Sequence, residues 1–271
     1  MTGAWDALAS SDRRLRLSSR FPDRRNAILV YHSVGMPGRF GTVSVERFRR
    51  DLDYLTSRYT VCDLPDVLES GTKKRVAITF DDGFADFETN ALPLLREFDC
   101  PATVFVSSDF VGDENLSHFA ARHELEPTAD QVMLTAAQLR ALATDPLVTV
   151  GNHTRSHPRL SELGDDEARR EEILGAKAAL ETIVGVEIDR FSYPYGDHDP
   201  ASVVLVRDSH ALAVTTAGRL VAPGSDPYLL PRLAGHVPES TLRWELSDLG
   251  DAIRTATRRI NGRLTMPSRR V

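Results

Sequence analysis

Cysteine is scarce in this chain of 271 residues, which contains only Cys62 and Cys100. Two cysteines so far apart in the sequence cannot build a disulfide framework or a cysteine-based zinc cluster. We therefore expect both residues to be ordinary thiols.

Long apolar runs are also absent. No stretch approaches the roughly 18 apolar residues that a membrane span requires, and the first 25 residues lack the apolar core of a secretory signal. We therefore expect a cytoplasmic protein without a transmembrane segment. Arginines cluster near both ends. We interpret both clusters in the first place as solvated, frayed termini, and peripheral contact with a membrane surface or a lipid-linked glycan is the alternative. The clusters comprise Arg13, Arg14, Arg16, Arg20, Arg24 and Arg25, and Arg254, Arg258, Arg259, Arg263, Arg269 and Arg270.

An excess of positive charge is missing as well. Lys and Arg number 33 against 39 Asp and Glu, so the formal net charge is −6. A basic surface is the usual electrostatic footprint of a nucleic-acid-binding protein. The composition therefore predicts no nucleic-acid partner, and the length suits a single α/β barrel.

Strand-like and helix-like patterns alternate along the chain without an internal linker. One helix is predicted after the cap residue Ser44 and another over residues 165–184. This alternation predicts a mostly parallel sheet, and about eight such units predict a closed barrel. The polar stretch 112–131 is expected to be an insertion near the mouth of the site. The strand-like runs are 27–31, 59–63, 76–80, 102–106, 147–150, 188–192, 211–215 and 229–233.

The segment Thr79-Phe80-Asp81-Asp82-Gly83 directly follows an apolar run. Two adjacent carboxylates raise each other's pKa, which costs stability unless a cation lies nearby. A metal ion would take one carboxylate as a ligand and leave the other free as a base. A solvated Asp-Gly turn is the alternative interpretation.

Two histidines, His153 and His157, follow the apolar run 147–150. On a helical turn, residues four apart share a face, so both imidazoles could reach one ion. Imidazole nitrogens together with a carboxylate oxygen suit Zn²⁺ or a similar divalent metal. Three ligands, Asp82, His153 and His157, would leave an open position, which is typical of a catalytic site. A helix cap at His153 and a surface position for His157 are the alternatives.

These motifs in combination resemble the polysaccharide deacetylase family, the carbohydrate esterases of family four with a NodB-homology domain. Residues 79–83 resemble the family's first motif and residues 153–157 its second. Pro194-Tyr195-Gly196 resembles the end of the third motif. The likeness extends from about residue 26 to about residue 235, so it covers most of the chain.

The resemblance implies an irregular barrel, often with seven strands. We therefore expect an α/β fold, an irregular (β/α) barrel of seven to eight mostly parallel strands. The barrel domain is expected over residues 26–265, between a basic N-terminal segment, 1–25, and a tail, 266–271. Barrel enzymes build their sites at the carboxyl ends of the strands. The candidates at such ends are His32, Asp81, Asp82, His153, Tyr195 and Arg232.

The resemblance further implies removal of the N-acetyl group from an N-acetylated sugar in a glycan, glycolipid or glycoside. It implies one divalent ion, Zn in the first place, with Co, Ni or Mn as alternatives. Asp81 would be the base, and the backbone N–H of Tyr195 would hold the oxyanion by analogy with the family. The alternatives are a deformylase or amidase on a small N-acyl compound, and a catalytically idle carbohydrate-binding barrel. The free carboxylate of Asp81 argues against the idle barrel.

The candidate proton donor differs from the family's usual pattern. The family carries an acid histidine in a late strand that ends in Leu-x-His. His236 is the only late candidate and lacks an apolar strand immediately before it. The run Ile28-Leu29-Val30-Tyr31-His32 resembles that strand moved to the front, as in branches that begin with a Tyr-His motif. We therefore predict His32 as the general acid, with His236 as the second choice and a half-buried structural histidine as the alternative for His32.

The third motif departs as well. The family often has an arginine two residues before the proline, where it keeps the base carboxylate charged, but Ser192 holds that position here. Arg190 lies two residues earlier, at the wrong depth in the strand. We predict that Arg232 supports Asp81 instead. An ordinary surface salt bridge is the alternative for Arg232.

Overall fold

The computed structural model describes residues 24–35, 41–112 and 133–264, together with positions 8, 10–12 and 18, and gives side chains as far as residue 257. The predicted insertion at 112–131 therefore lies almost entirely outside the described residues. The same holds for most of the basic segment 1–25 and for the tail 266–271.

Parallel strands form the frame of the described part of the chain. All of the pairings between named strands are parallel, as expected for strands that alternate with helices. In chain order the strands are β1 (Ala27–Tyr31), β2 (Ser33–Val34), β3 (Thr42–Val43), β4 (Thr60–Val61), β5 (Arg75–Phe80), β6 (Ala102–Val106), β7 (Val148–Asn152), β8 (Arg190–Ser192), β9 (Leu212–Val214) and β10 (Leu233–Ala234).

One curled sheet runs in the order β10-β1-β5-β6-β7-β8-β9, and β4 pairs with the first two residues of β5. β1 pairs with β10 through Leu29 and Leu233, so the first and last strands are neighbours. Beyond β9, Val214 pairs in parallel with Leu230, just before β10. The curled parallel sheet with helices around it confirms the predicted α/β barrel.

Four predicted strands are shorter than expected: β8 and β9 have three residues each, and two others are reduced to two residues. The run 59–63 contributes only β4, because Asp63 caps a 3₁₀ helix that starts at the next residue. The run 229–233 is reduced to the bridge at Leu230 and to β10, which is consistent with the missing N–H of Pro231. Seven strands therefore form the main path of the sheet.

Helices cover the connections between the strands. They are α1 (Val45–Arg58), α2 (Leu92–Glu97), α3 (Ala136–Leu142), α4 (Asp166–Arg170), α5 (Ala176–Val184), α6 (Pro200–Ser209), α7 (Glu239–Glu245) and α8 (Asp248–Leu264). Short 3₁₀ helices are Leu64–Leu68, Ser108–Phe110, Leu160–Glu162 and Pro194–Gly196, and π-helical turns are Phe87–Ala91 and Glu171–Gly175.

Both predicted helices are present. At α1 the Ser44 side chain accepts a hydrogen bond from the N–H of Arg47 at 3.2 Å, which satisfies one of the unpaired amides of the first turn. The segment 165–184 is helical, but the π-helical turn Glu171–Gly175 separates α4 from α5. This turn lies beside the candidate site.

Apolar side chains fill both sides of the sheet. All five residues of β1 and all five of β6 are buried, as expected for parallel strands covered by helices. Each fully buried aliphatic side chain contributes about 1.5–3 kcal/mol of transfer free energy. Arg190, the first residue of β8, makes two 2.6 Å hydrogen bonds to Asp63.

Among the described residues, no helix combines the length and the apolar character needed to cross a membrane.

Candidate active site

The residues predicted from the sequence meet at the carboxyl ends of the strands. Asp81 and Asp82 directly follow β5, and His153 directly follows β7. His32 directly follows β1, so its position matches that of Asp81 on the neighbouring strand. The N–H of Asp81 donates to the Tyr31 carbonyl at 3.0 Å, which extends the pairing of β1 and β5 to the edge of the site.

Asp82, His153 and His157 form a buried group whose candidate ligand atoms all lie within 4.8 Å of one another. The Nε2 atoms of the two histidines are 3.1 Å apart. Oδ1 of Asp82 lies 3.6 Å from Nε2 of His153 and 3.5 Å from Nε2 of His157. Two imidazoles and one carboxylate converging on a common point match the donor set of a catalytic zinc site.

The tautomer of His153 is set by its hydrogen bond to the Ser192 carbonyl, 2.8 Å from Nδ1. A carbonyl oxygen can only accept, so Nδ1 carries the hydrogen and Nε2 keeps its lone pair. Burial lowers the pKa of His153, which favours the neutral ring. A neutral imidazole with a free Nε2 is the form that binds a metal ion.

The route by which the two histidines meet differs from the prediction. We expected a helical turn, but residues 153–157 form an irregular loop. Thr154 and His157 have φ values of 67° and 57°, in the left-handed region that a helical turn excludes. The rings converge because this loop folds back on itself, so the helical-turn premise was wrong.

Asp81 is bound by Arg232 through two hydrogen bonds of 2.6 Å, one to each carboxylate oxygen. All five guanidinium donors have acceptors, since Arg232 also donates to Thr79 Oγ1 at 3.1 Å, Ser192 Oγ at 2.9 Å and the Thr215 carbonyl at 3.1 Å. The Arg232 side chain is fully buried. This contact is therefore an interior ion pair rather than a surface salt bridge.

The two adjacent carboxylates have opposite pKa shifts. Burial alone would raise the pKa of Asp81, but the positive charge of Arg232 lowers that pKa well below its usual value. Burial and the negative charge of Asp81 raise the pKa of Asp82 well above its usual value. A buried carboxylate beside a second one gains stability from a cation, so the electrostatics of Asp82 fit a metal ligand.

Backbone strain is concentrated at this site. Of the non-glycine residues with positive φ in the described ranges, four lie here, and the fifth is Asp99, in a turn. Non-glycine residues hold such conformations only when the surrounding structure imposes them. The four residues at the site are Asp82, Thr154, His157 and Tyr195.

The two candidate proton donors, His32 and His236, lie side by side with ring centroids 6.3 Å apart. Each extends one of two paired strands, β1 and β10, beyond its last paired residue. Burial lowers the pKa of His32 to about 4, although the charge of Asp81 opposes this shift. Burial also lowers the pKa of His236. Gly41, with φ 77°, packs against the His32 ring, where an added Cβ would lie 2.9 Å from Nδ1.

Tyr195 lies at the mouth of the site, with its ring centroid 4.7 Å from that of His157. Its side chain is 41% exposed, and the Arg159 guanidinium lies 4.3 Å from the ring centroid. Its carbonyl accepts a hydrogen bond from Thr216 Oγ1 at 2.9 Å. The backbone here is therefore held in place while the aromatic ring faces outward.

Three further residues that support the site were not among the residues predicted from the sequence. Asn152 accepts from the Thr154 N–H at 2.9 Å, and Thr154 Oγ1 accepts from the His157 N–H at 3.1 Å. Glu172 accepts hydrogen bonds from the loop at Arg155 and Ser156. Asn152 and Thr154 adjoin the histidine motif, so proximity could have indicated them. Nothing in the sequence indicates Glu172.

A family model described as Polysaccharide deacetylase matches residues 69–213 of this chain, more than half of its length. The matched range includes the candidate ligands and the candidate base. Three of the other candidates lie outside it: His32, Arg232 and His236.

Among curated proteins, the chain is similar to Poly-beta-1,6-N-acetyl-D-glucosamine N-deacetylase of Staphylococcus aureus (strain MRSA252). The two are 24% identical over 169 residues, which cover 59% of this chain and 54% of that protein. The chain thus spans about half the length of the curated relatives it matches.

Among solved structures, the chain is similar to IcaB from Ammonifex degensii, with a TM-score of 0.68 and 23% identity over 81% of this chain and 95% of that chain. It is also similar to the Streptococcus pyogenes deacetylase PplD in complex with acetate, with a TM-score of 0.67 and 20% identity over 83% of this chain and 100% of that chain. At these identities the likeness concerns the fold.

Proposed function

The chain belongs to the polysaccharide deacetylase family, and we propose that it is a metal-dependent hydrolase that removes the N-acetyl group from an N-acetylated sugar. One observation carries the proposal: Asp82 faces two imidazoles, whereas Asp81 is bound to Arg232. The carboxylate of Asp82 is therefore suited to bind a cation, and the carboxylate of Asp81 is suited to accept a proton. Hydrolysis of an acyl bond by water uses both.

Asp82, His153 and His157 would hold the ion, for which Zn²⁺ is our first choice, with Co, Ni or Mn as alternatives. Such an ion, when bound, polarises an acyl oxygen and lowers the pKa of water from 15.7 toward about 7. The hydrogen bond from His153 to Ser192 supports this assignment, because it leaves Nε2 as the free nitrogen.

Asp81 would accept the proton of the attacking water. Its Oδ2 lies 3.9 Å from Nε2 of His153, so the carboxylate lies beside the ligand group. Arg232 fixes its orientation and keeps it ionised at neutral pH, since the pair lowers the pKa of Asp81. A positioned general base typically accelerates a reaction ~10²–10⁴-fold.

His32 would deliver a proton to the leaving amine, with His236 as the second candidate. The lowered pKa values imply neutral rings at pH 7, so the proton has to arrive during the reaction. Hydrolysis supplies it, because the proton that Asp81 removes from water is the one that the amine needs. The side-by-side position of the two rings supports a donor role on this side of the site.

The backbone N–H of Tyr195 would stabilise the developing oxyanion, by analogy with the family. The left-handed backbone at Tyr195, φ 58° and ψ 6°, supports this role, because strained backbone of this kind accumulates at functional sites. Preorganised backbone donors are among the larger contributions to acyl-transfer catalysis.

The proposed substrate is a glycan, glycolipid or glycoside that contains N-acetylated sugar. The curated relative from Staphylococcus aureus carries poly-beta-1,6-N-acetyl-D-glucosamine in its name, so oligomers of N-acetylglucosamine are the first substrates to test. A cytoplasmic location and peripheral contact with a lipid-linked glycan stay predictions, which cell fractionation of the native host would test.

The decisive experiment measures acetate and formate release by the purified chain over a panel of N-acylated sugars, with chelator and after zinc is restored. We expect acetate release that chelator abolishes and zinc restores. Formate release from N-formyl compounds without acetate release would favour the deformylase or amidase. Sugar binding without any release from the zinc-loaded protein would favour the idle barrel.

A further inference from the structure

The loop that carries the two histidine ligands, residues 153–157, belongs to neither a helix nor a strand. Two of its residues, Thr154 and His157, have left-handed backbone conformations. Conformations of this kind cost about 1–3 kcal/mol each and persist only when other contacts impose them. The spacing of the two imidazoles therefore depends on what anchors the loop.

Every backbone N–H of this loop has an acceptor. Three of the five amides bond to the neighbouring strand, to the residue just before the loop or within the loop itself. The other two bond to a helical segment elsewhere in the chain. The first three bonds are His153 to the Val106 carbonyl at 3.0 Å, Thr154 to Asn152 Oδ1 at 2.9 Å, and His157 to Thr154 Oγ1 at 3.1 Å.

The other two amides converge on a single carboxylate, that of Glu172. The N–H groups of Arg155 and Ser156 lie 3.0 and 2.8 Å from the same oxygen, Oε2. The Ser156 hydroxyl donates to the other oxygen, Oε1, at 2.6 Å. Two successive amides aimed at one anion form a charge-assisted contact, which is stronger than a neutral hydrogen bond.

Glu172 is carried by the π-helical turn between α4 and α5. The next residue, Ile173, is fully buried, and its carbonyl accepts a hydrogen bond from Asn152 Nδ2 at 2.9 Å. One turn therefore contacts both the middle of the loop and the residue before His153. π-helical turns frequently occur at functional sites, and this one is fixed to the core through Ile173.

We propose that Glu172 is a positioning residue for the metal site: its carboxylate holds the middle of the loop and thereby sets the spacing of His153 and His157. The inference rests on the proposed function, in which these histidines bind the ion. Partners that orient metal ligands without touching the ion typically change metal affinity by about 10–100-fold when they are removed.

The test is a zinc-affinity measurement on metal-free protein by competition with a chromophoric chelator. We expect Glu172→Ala to bind zinc about 10–100-fold more weakly than the unmodified chain. Glu172→Gln should recover most of the affinity, because its amide oxygen can replace Oε2 and its NH₂ group can donate to Ser156 Oγ. Glu167→Ala is the matched control, since Glu167 is an exposed glutamate on α4.

Thermal unfolding of the metal-free variants separates positioning from general destabilisation. A weaker zinc affinity with an unchanged melting temperature supports positioning, as does recovery by Glu172→Gln. Unchanged zinc affinity in Glu172→Ala overturns the inference. If that variant gives no cooperative melt, Glu172→Asp, which keeps the charge but shortens the reach, replaces it under the same criteria. Failure of the unmodified chain to bind zinc would instead overturn the metal assignment itself.

Discussion

Arg232 and Asp81 are joined by two hydrogen bonds of 2.6 Å, although 151 residues separate them in the sequence. A second pair with the same geometry is formed by Arg190 and Asp63. The pairs differ in burial, since the Asp63 side chain is 38% exposed and that of Asp81 is 4% exposed. Of the two pairs, only the Arg232 pair adjoins the candidate ligands, so substitution of Arg190 is a control for substitution of Arg232.

Arg232→Lys should lower both stability and activity. Lysine cannot reproduce the two parallel hydrogen bonds, and hydrogen bonds left unmade in the interior cost roughly 1–3 kcal/mol. A misplaced Asp81 carboxylate should lower kcat for acetate release by about 10²-fold. Urea unfolding and acetate assays measure the two effects.

Arg190→Lys should also destabilise the fold, by less because Asp63 is more exposed, and should leave kcat unchanged. Equal losses of kcat in the two variants would mean that the Arg232 contact is structural only.

Substitutions of the two adjacent carboxylates should have different effects on zinc binding and on acetate release. Asp82→Ala should lose zinc, because it removes one of three ligands. Asp81→Asn should keep zinc but lose about 10²–10⁴-fold in acetate release, the usual contribution of a general base. Metal analysis of the purified variants and acetate assays measure the two properties, with circular dichroism as the check on folding.

Stoichiometric zinc and full activity in Asp82→Ala would show that the metal assignment is wrong. Undiminished acetate release from Asp81→Asn would remove Asp81 as the base.

The roles of His32 and His236 can be distinguished by varying the leaving group of the substrate. A general acid matters for an amine, which is a poor leaving group, and matters little for a nitrophenolate. His32→Asn should therefore lose about 10²-fold or more on N-acetyl sugars and retain most of its activity on 4-nitrophenyl acetate. His236→Asn should show a smaller loss on the sugars.

The reverse order of the two losses would make His236 the acid. Equal losses on both kinds of substrate would mean that neither ring is a proton donor.

The contribution of His210 to the stability of the metal-free protein should fall as the pH is lowered from about 6.5 toward pH 3. Burial lowers the pKa of His210 from 6.5 to about 3, and Asn152 lies 3.2 Å from its Nε2. Within this window the unfolded chain binds more protons than the folded chain, so the free energy of unfolding decreases as the pH is lowered. One such group contributes up to about 1.4 kcal/mol per pH unit.

Urea unfolding at a series of pH values measures this slope, and His210→Gln should make it shallower. His32, with a pKa lowered to about 4, should contribute to the slope that remains. An equally steep slope in His210→Gln would mean that His210 is not buried in its neutral form.

The ligand group was predictable because its chemistry is local. Asp81 and Asp82 lie directly after β5, and His153 lies directly after β7, so apolar runs followed by polar motifs sufficed to indicate them. The conformation of the histidine loop was predicted wrongly, because spacing by four is compatible with a helical turn. Its actual shape depends on side-chain contacts with Asn152 and Glu172, which no periodicity records.

The kinds of donor atoms, the strands that precede them and the family of the chain could all be read from local sequence patterns. The distant side chains that complete the site became known only from the folded chain. The pairing of β10 with β1 places His236 next to His32, and it places Arg232, which directly precedes β10, against Asp81. Such contacts depend on packing between residues far apart in the chain, whereas local patterns record only the backbone preference and burial of each segment.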